Sequence, residues 1–275
     1  MTTVAASAVK ICLFGATGRM GKSLIRAIHD STDFELTGAA ASADSAALGA
    51  DACSVAGLAA DSRVAVCASP RAALAGAEVA LDFSVAGAVP GHLAACLAEG
   101  VAIVVGTTGL GAASDARLEE AARQIPVLVA PNTSLGINLL AQLVERAAAS
   151  LPADYDIEIL EAHHRYKVDA PSGTAIKLGI AAAAGRGIEL DNPPPAPRSA
   201  QRGPRESGSI GFAVVRGGDI VGEHTVMFAG PGERLELTHR AHDRMTFAYG
   251  ALRAAAWLRG RPPGLYTMAD VLRMR

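Results

Sequence analysis

The residues best suited to chemistry lie in one stretch of fifteen positions, from Glu161 to Ala175. It contains two adjacent imidazoles, His163 and His164, and the ammonium group of Lys167. A histidine can transfer a proton near neutral pH, and a lysine can neutralise or protonate an anion. A single histidine at a strand end is usually an ordinary polar residue, but this combination predicts a site for a small acidic substrate.

The segment before the histidines has the pattern of a strand. Residues 156–160 alternate polar and apolar side chains, as a half-buried strand does. The strand would carry His163 and His164 to its C-terminal end and onto a loop. Because consecutive side chains of an extended chain point to opposite sides, the two histidines are expected to have different roles.

The segment after this loop predicts the start of a helix. Ser172 is a good N-cap, and the helix-forming run from Ala175 ends near Gly185. Gly173 and Thr174 would then lie in the first turn, where free N–H groups and the helix dipole attract anions. The stretch therefore combines a proton donor, a cation and an anion-binding helix start.

Composition bounds the class of protein. The chain has 275 residues, of which 50% are hydrophobic, and this length predicts two domains. A net charge of −2 argues against a general attraction to nucleic acid or to a membrane surface, and no apolar run reaches the length of a membrane span. The cysteines lack the spacing of metal ligands, so no metal is predicted. We expect buried thiols in a reducing compartment and, with no signal peptide evident, a cytoplasmic location.

The beginning of the chain predicts a dinucleotide-binding domain. An apolar run at 9–14 is followed by Gly15-Ala-Thr-Gly18-Arg-Met-Gly21 and then by a helical pattern from Ser23. A strand, a glycine-rich turn and a helix in this order form the phosphate-binding corner of a Rossmann unit. The glycines permit a tight turn and let backbone N–H groups approach a pyrophosphate. The spacing is GxxGxxG rather than GxGxxG.

The second strand, predicted at 34–40, leaves the choice of cofactor open. A carboxylate about 20 residues beyond the glycines normally holds the adenosine ribose of NAD. Here the strand continues into Ala41-Ser42-Ala43, and the first acid is Asp44. Arg19, within the glycine turn, would either meet the 2′-phosphate of NADP or remain in solvent. Both NADH and NADPH therefore remain plausible.

More alternation of strands and helices follows. Strands are predicted at 64–67, 79–81, 101–105 and 127–130, and helices at 70–75, 88–99 and 114–123. This order predicts a parallel sheet with right-handed crossovers, and ligands bind beyond the carboxyl ends of such strands. Small polar residues follow these strand ends and are expected to line the ribose and nicotinamide: Ser84, Thr107, Thr108, Asn132 and Thr133.

The second half predicts a different sheet. After a long helix at 135–149, strands are predicted at 156–162, 209–216, 220–228 and 234–240. Gly217-Gly218-Asp219 lies between the second and third of these and is a strong hairpin signal. The four strands would form an open mixed sheet, whose free edges favour pairing with copies of itself. His224, His239 and His242 are expected to be solvated or hydrogen-bonded.

Two other segments complete the second half. Residues 186–208 are rich in proline and arginine, with Pro193-Pro-Pro195, Arg198, Arg202 and Arg205, and predict either a flexible cover or a contact between subunits. From Asp243 the pattern becomes helical, and the last residues are expected to pack on the first domain.

Five motifs are spread along the chain: Glu161 to Ala175, Gly15 to Gly21, Gly106-Thr-Thr-Gly, Asp219-Ile-Val-Gly-Glu-His-Thr and Arg244-Met-Thr-Phe-Ala. Together they resemble the dihydrodipicolinate reductase family over nearly the whole chain. The resemblance implies an α/β fold with a Rossmann-type parallel-sheet domain and a smaller α+β domain with an open mixed sheet. The first domain would comprise 1–133, completed by helices at 243–275, and the substrate-binding and oligomerisation domain would comprise 134–242.

The resemblance also implies an activity. The family reduces the cyclic product of the synthase step, with loss of water, to tetrahydrodipicolinate in lysine and diaminopimelate biosynthesis, using NADH or NADPH. By this likeness His163 is the proton donor or acceptor and Lys167 a proton donor, while His164, Gly173 and Thr174 hold the substrate carboxylates. The implied cofactor contacts are Gly15, Ala16, Thr17, Gly18, Arg19, Met20, Gly106, Thr107, Thr108, Ala130, Pro131, Asn132 and Thr133. Homotetramers are typical of the family.

The residues also leave alternatives. Tyr166 stands where relatives often have histidine, with little functional loss expected. A related dehydrogenase acting on another amino acid, such as aspartate, would reduce NAD(P) with that amino acid and lack the reductase activity. A dinucleotide sensor without catalysis would bind the cofactor but show no turnover.

Overall fold

The computed structural model describes residues 7–59, 61–190 and 203–272. The chain divides into two compact units. One contains the residues up to Ser134 together with those from Met245 onward, and the other is Leu135–Arg244. Residues 191–202 of the predicted 186–208 loop, including Arg198 and Arg202, lie outside the described residues.

The first unit is built on a seven-stranded sheet. Its strands are β1 Val9–Phe14, β2 Phe34–Ala40, β3 Val66–Cys67, β4 Val79–Asp82, β5 Ala102–Val105, β6 Pro126–Val129 and β11 Gly264–Tyr266. Its helices are α1 Arg19–His29, α2 Ala52–Val55, α3 Pro70–Ala73, α4 Val89–Glu99, α5 Ala112–Ala122, α8 Met245–Leu258 and α9 Met268–Val271. The strand order is β11-β6-β5-β4-β1-β2-β3, and every pairing is parallel. The predicted Rossmann-type parallel sheet is confirmed.

The centre of this sheet is fully buried. All four residues of β4 and all four of β5 are inaccessible, as expected for parallel strands covered by helices on both faces. Helix α8 packs closely against the chain that follows β6, because a Cβ at Gly250 would lie 1.9 Å from the carbonyl oxygen of Thr133. The short elements α2, β11 and α9 were not predicted from the sequence.

The second unit pairs two helices with a four-stranded sheet. Its elements are α6 Leu135–Ser150, β7 Asp156–His163, α7 Gly173–Arg186, β8 Ile210–Arg216, β9 Gly222–Gly230 and β10 Glu233–Ala241. The order is β10-β9-β7-β8, with β7 parallel to β8 and antiparallel to β9. The predicted open mixed sheet is confirmed.

The predicted hairpin between residues 209–216 and 220–228 is wrong. Strands β8 and β9 lie on opposite sides of β7, and the segment that joins them crosses the end of β7. It is fastened there by hydrogen bonds from Gly217 N to the His163 carbonyl (3.0 Å) and from Arg165 N to the Gly218 carbonyl (3.3 Å). Two inter-strand spacings are roughly 10 Å, which a five-residue linker spans easily. Gly217 and Gly218 allow the chain to reverse its direction, but they do not determine which strand pairs with β9.

The core of the second unit lies between its sheet and its helices. Ile157 and Ile159 of β7 and Val226 and Phe228 of β9 are buried on the inner face, packed with Leu178 and other apolar residues of α6 and α7. This inner face is apolar at one end and polar at the other, and the polar end holds the candidate site.

Two structural observations concern the cysteines and the apolar segments of the chain. The four cysteines, Cys12, Cys53, Cys67 and Cys96, are all free, and three of them are buried. Throughout the described ranges, no helix is both long and apolar enough to cross a membrane.

Candidate active site

The polar end of the second sheet is formed by strand periodicity. Alternate residues of a strand share a face, so Glu161 and His163 continue the inner row begun by Ile157 and Ile159. Glu161 is 3% exposed and His163 9% exposed. The fold has therefore placed an acid and an imidazole where β7 leaves the apolar core.

The Glu161 carboxylate is bound by four donors. Its Oε2 lies 2.5 Å from His163 Nδ1 and 2.8 Å from Arg216 Nη1, while Oε1 accepts from Arg216 Nη2 (2.8 Å) and Ser172 N (3.0 Å). Burial alone would raise the pKa of Glu161, but the donors of His163, Arg216 and Ser172 outweigh it and lower the pKa to about 2. The carboxylate is therefore charged, and His163 directs Nδ1 towards it. This leaves Nε2 as the nitrogen that can exchange a proton with a ligand.

Lys167 is held by the loop that follows β7. Its Nζ is 2.8 Å from the Asp169 carboxylate, and its side chain is 21% exposed. Partial burial opposes ionisation of Asp169, but the hydrogen bond from Lys167 lowers the pKa of that carboxyl. Arg216 donates to the Asp169 carbonyl (2.7 Å), so the loop is tied to the cation that also holds Glu161. The structure thus connects His163 and Lys167 through one network.

The start of α7 joins the same network. Ser172 caps the helix as predicted, since its Oγ accepts from Ala175 N at 3.1 Å. Gly173 is exposed and Thr174 partly exposed in the first turn, and His164 is half-buried at the end of β7. Because Ser172 N is bound to Glu161, the helix start is fastened directly to the acid that positions His163. The substrate-binding roles of His164, Gly173 and Thr174 stay predictions.

His224 is a site residue that sequence reasoning missed. It is 4% exposed, its Nε2 is 3.1 Å from Ser172 Oγ, and its ring lies edge-on to His163 at 5.1 Å between centroids. Ser172 Oγ also accepts from Ala175 N, and one hydrogen is shared between Ser172 Oγ and His224 Nε2. Burial, followed by the charge of His163, lowers the pKa of His224 to about 4. The alternation of β9, which places His224 in the row of Val226 and Phe228, is the signal that could have identified it.

In the first unit, the glycine turn between β1 and α1 fits a pyrophosphate. Gly15 has φ of +80°, and a Cβ at Gly21 would lie 2.3 Å from the Gly15 carbonyl, so the turn requires glycine at both positions. The N-cap of α1 is Gly18, which has no side chain to bind the first N–H groups of the helix. These donors therefore face outward at the positive end of the helix dipole, where an anion is favoured.

A cavity of about 320 Å³ adjoins this turn. Its walls are mostly small or apolar, formed by Gly15, Thr17, Gly18, Ala40, Ala41, Ser42, Ala43, Ala68, Phe83, Ser84, Val85, Ala88 and His92. The lining contains no carboxylate among the residues that the structure describes. Ser42 stands at the end of β2, where an acid would hold the ribose of NAD. The cavity suits an adenosine moiety, and its walls carry no charge that selects NADH.

The other predicted cofactor residues are largely engaged within the fold. Thr107 is buried, with its Oγ1 2.9 Å from Asp82 Oδ1, and Thr133 Oγ1 donates to the Phe247 carbonyl at 2.7 Å. Asn132 Oδ1 accepts from Ser134 N at 2.9 Å. Of the remainder, Gly106 and Ala130 are buried, Met20 is partly buried, and Arg19, Thr108 and Pro131 are exposed. Their contacts with a cofactor stay predictions.

A second carboxylate–histidine pair was also missed. Asp82, fully buried at the end of β4, lies 2.8 Å from His92 Nδ1 and accepts from Ser84 Oγ at 2.6 Å. The His92 ring stacks on Phe14 with 4.3 Å between centroids. The pair fastens Ser84 and His92, both of which line the cavity.

A parallel sheet with an uncapped helix start at a glycine turn, together with an acid–base cluster on a separate unit, defines a dinucleotide-dependent oxidoreductase. Comparison with known families narrows this class. The model described as "Dihydrodipicolinate reductase, N-terminus" matches residues 9–133, and the one described as "Dihydrodipicolinate reductase, C-terminus" matches residues 136–272. The chain belongs to the dihydrodipicolinate reductase family and is an NAD(P)H-dependent oxidoreductase.

Comparisons with individual relatives support the same family assignment. The chain is 49% identical to the 4-hydroxy-tetrahydrodipicolinate reductase of Thiobacillus denitrificans, over 97% of this chain and 99% of the relative. It is 51% identical to that of Rhodopseudomonas palustris strain BisA53, over 97% of each chain. Among solved structures, a dipicolinate-bound dihydrodipicolinate reductase from Paenisporosarcina sp. TG-14 superposes with a TM-score of 0.76 at 26% identity, covering 96% of this chain and 98% of the other. The predicted family resemblance and reductase class are confirmed.

Proposed function

We propose that this protein reduces 4-hydroxy-tetrahydrodipicolinate to tetrahydrodipicolinate, with loss of water, in lysine and diaminopimelate biosynthesis. The observation that carries the proposal is the connected network of His163, Glu161, Arg216 and Lys167 at the start of α7. It unites a proton donor, a cation and the N-terminus of a helix, which are the partners that a reducible dicarboxylate requires.

His163 handles the proton in this scheme. NAD(P)H, when bound, supplies the hydride. Reduction of an unsaturated carbon leaves electron density that a positioned acid must quench. Because Glu161 occupies Nδ1, His163 offers Nε2 for this transfer. A Cβ at position 222 would lie 3.1 Å from Nε2, so Gly222 keeps the space beside that nitrogen clear.

Lys167 and the start of α7 receive the carboxylates. Lys167 is paired with Asp169, and a substrate carboxylate would compete with that acid for the ammonium group. The N–H groups of Gly173 and Thr174 lie at the positive end of a 14-residue helix. His164 adds a further donor at the end of β7. These groups fix the substrate and stabilise the charge that develops during reduction.

The test is steady-state kinetics on substrate generated by the synthase. We expect His163→Ala and Lys167→Ala each to lower kcat by roughly 10²–10⁴-fold, the usual contribution of a positioned acid or base. Tyr166→Phe is the matched control, because Tyr166 lies between them but is 81% exposed, and should retain activity. Cofactor affinity, followed by NADPH fluorescence, should survive in all three variants. Full activity of both alanine variants would refute the site.

We further propose a homotetramer assembled through the second sheet. Leu160 and Val215 are exposed on the face of the sheet turned away from α6 and α7, which supports a contact there. Light scattering after size-exclusion chromatography would measure the mass, and replacing both residues by lysine should reduce it. We also propose a cytoplasmic location, which the four free thiols support.

A further inference from the structure

We infer that Glu161, held as an anion by Arg216, is a positioning residue that sets the tautomer and the working pH range of His163. The inference rests on the proposed function, in which His163 exchanges the proton. It assigns roles to two residues, 55 positions apart in the chain, that do not themselves meet the substrate.

The geometry shows how the Glu161 carboxylate can set both the tautomer and the working pH range of His163. Arg216 binds it with two parallel hydrogen bonds of 2.8 Å, the arrangement that orients a carboxylate most firmly. The oxygen that accepts from Arg216 Nη1 also faces His163 Nδ1 at 2.5 Å. With the carboxylate fixed in plane and position, the imidazole has one orientation that satisfies Nδ1.

Arg216 is needed because the acid is buried. A carboxylate with 3% exposure would tend to take up a proton unless cationic and N–H partners compensate it. The donors present lower the pKa of Glu161 to about 2, despite its burial. Glu161 therefore stays an anion over the whole range in which an enzyme works, and its Oε2 is held 2.5 Å from His163 Nδ1.

A second pair on the same strand shows what a purely structural role looks like. Glu158, also on β7 but on the other face, is paired with Arg205, which additionally binds Asp156 at 3.1 Å. None of these three residues contacts a histidine in the described structure. This pair joins the strand to neighbouring chain, so its loss should affect stability without affecting the proton transfer.

The charges around His163 lead to expectations of opposite sign. The ionisable groups in contact with it are Glu161 on its own strand and His224 on β9. Arg216 on β8 is joined to it through Glu161, and Lys167 and Asp169 on the loop are joined to it through Arg216. Removing the anion disfavours protonated His163, so the alkaline fall in activity should move to lower pH. Without Arg216, the Glu161 carboxylate keeps Ser172 N and His163 as its partners and depends more on the positive charge of protonated His163, so the same fall should move to higher pH. A merely structural role predicts no such opposition.

The experiment compares pH profiles of kcat and kcat/KM for four variants. Glu161→Gln should lower kcat at least tenfold and move the alkaline limb down by about one pH unit or more, the usual effect of a charge within 4–6 Å. Arg216→Gln should move that limb up. Arg216→Lys, which keeps the charge but loses the fork, should return it towards the parent position. Glu158→Gln should leave the limb unchanged.

The outcomes separate this inference from the proposed function. Glu161 is not a positioning residue if Glu161→Gln and Arg216→Gln leave the alkaline limb where Glu158→Gln leaves it, or if both move it in the same direction. In that case, a loss of activity in His163→Ala would still uphold the proposed function. If His163→Ala is fully active, the proposed function fails independently. Should Glu161→Gln not fold by circular dichroism, the two Arg216 variants decide the question: Arg216→Gln should move the limb up while Arg216→Lys keeps it near the parent position, and a limb that Arg216→Gln leaves in place would overturn the inference.

Discussion

Within the part of the chain that the structure describes, two carboxylates are buried, Asp82 and Glu161, and they have similar surroundings but different hydrogen-bond donors. Each lies at the end of a strand, and each meets a histidine through Nδ1, at 2.8 Å for His92 and 2.5 Å for His163. Around Asp82 the other donors are hydroxyl and backbone groups of Ser84 and Thr107. Around Glu161 the main donor is the guanidinium of Arg216.

The different donors explain how two similar carboxylate–histidine pairs can have different roles. The hydroxyl-bound acid of the first unit fastens residues that line a mostly apolar cavity, and its histidine is stacked on Phe14. The guanidinium-bound acid of the second unit stays charged and serves a histidine beside a lysine and a helix start. Neutral hydroxyl and backbone donors are sufficient to hold a loop in place. A guanidinium donor keeps the carboxylate charged, and a charged carboxylate can influence the proton on a histidine. Three predictions test this contrast.

The largest effect concerns stability. Arg216→Met leaves Glu161 as a buried carboxylate without its cation and should lower the free energy of unfolding by about 3–5 kcal/mol. Thr107→Val, which removes a hydroxyl from Asp82 at nearly constant shape, should cost only about 1–3 kcal/mol. Urea denaturation of both variants measures the difference. Equal losses would show that the two sets of donors are not energetically distinct.

The second effect concerns pH. In the folded state the pKa of His224 is lowered, through burial and the charge of His163, to about 4 from an ordinary value of 6.5. The unfolded chain therefore takes up a proton first, so stability is complete above pH 6.5 and is lost as the pH falls from 6.5 towards 4. The loss amounts to about 3 kcal/mol at about 1.4 kcal/mol per pH unit.

A titration of melting temperature checks this expectation. His224→Gln, whose amide can still form a hydrogen bond with Ser172, should flatten the slope between pH 6.5 and 4. An unchanged slope in His224→Gln would assign the acid sensitivity to other groups.

The smallest effect sharpens the description of the first unit. Ser42→Asp places a carboxylate at the end of β2, where it can accept from a ribose hydroxyl and repel a 2′-phosphate. The ratio of kcat/KM for NADH over NADPH should rise by about tenfold, equivalent to about 1.4 kcal/mol. Kinetics with both cofactors measure it. Arg19→Ala should weaken NADPH alone if Arg19 meets the 2′-phosphate, and an unchanged ratio in Ser42→Asp would show that the ribose lies elsewhere.

Much of this architecture follows from local pattern. The apolar runs of β1 and β5 and the Gly15–Gly21 turn predict the parallel sheet and its phosphate-binding corner, because strand burial and glycine geometry are local properties. The spacing from His163 to Thr174 likewise predicts the reactive end of β7 and the cap at Ser172.

What could not be predicted depends on contacts across the fold. Arg216 lies 55 positions from Glu161, and His224 lies 52 positions from Ser172, so no local window contains either pair. The hairpin prediction failed for the same reason, since Gly217 and Gly218 describe a turn and not which strands become neighbours. Asp82 and His92 lack any motif, and only the closeness of α4 to the end of β4 reveals them.

The crossing of β7 by the segment between β8 and β9 has a consequence for synthesis. Residue 156 pairs with residue 229, so β7 obtains its antiparallel neighbour only after most of the second unit has been made. His163 is translated early, but Arg216 and strand β9 are translated much later. Pairings of such separation close slowly. A growing polypeptide therefore carries these groups unassembled, and the network around Glu161 is complete only when the sheet is nearly complete.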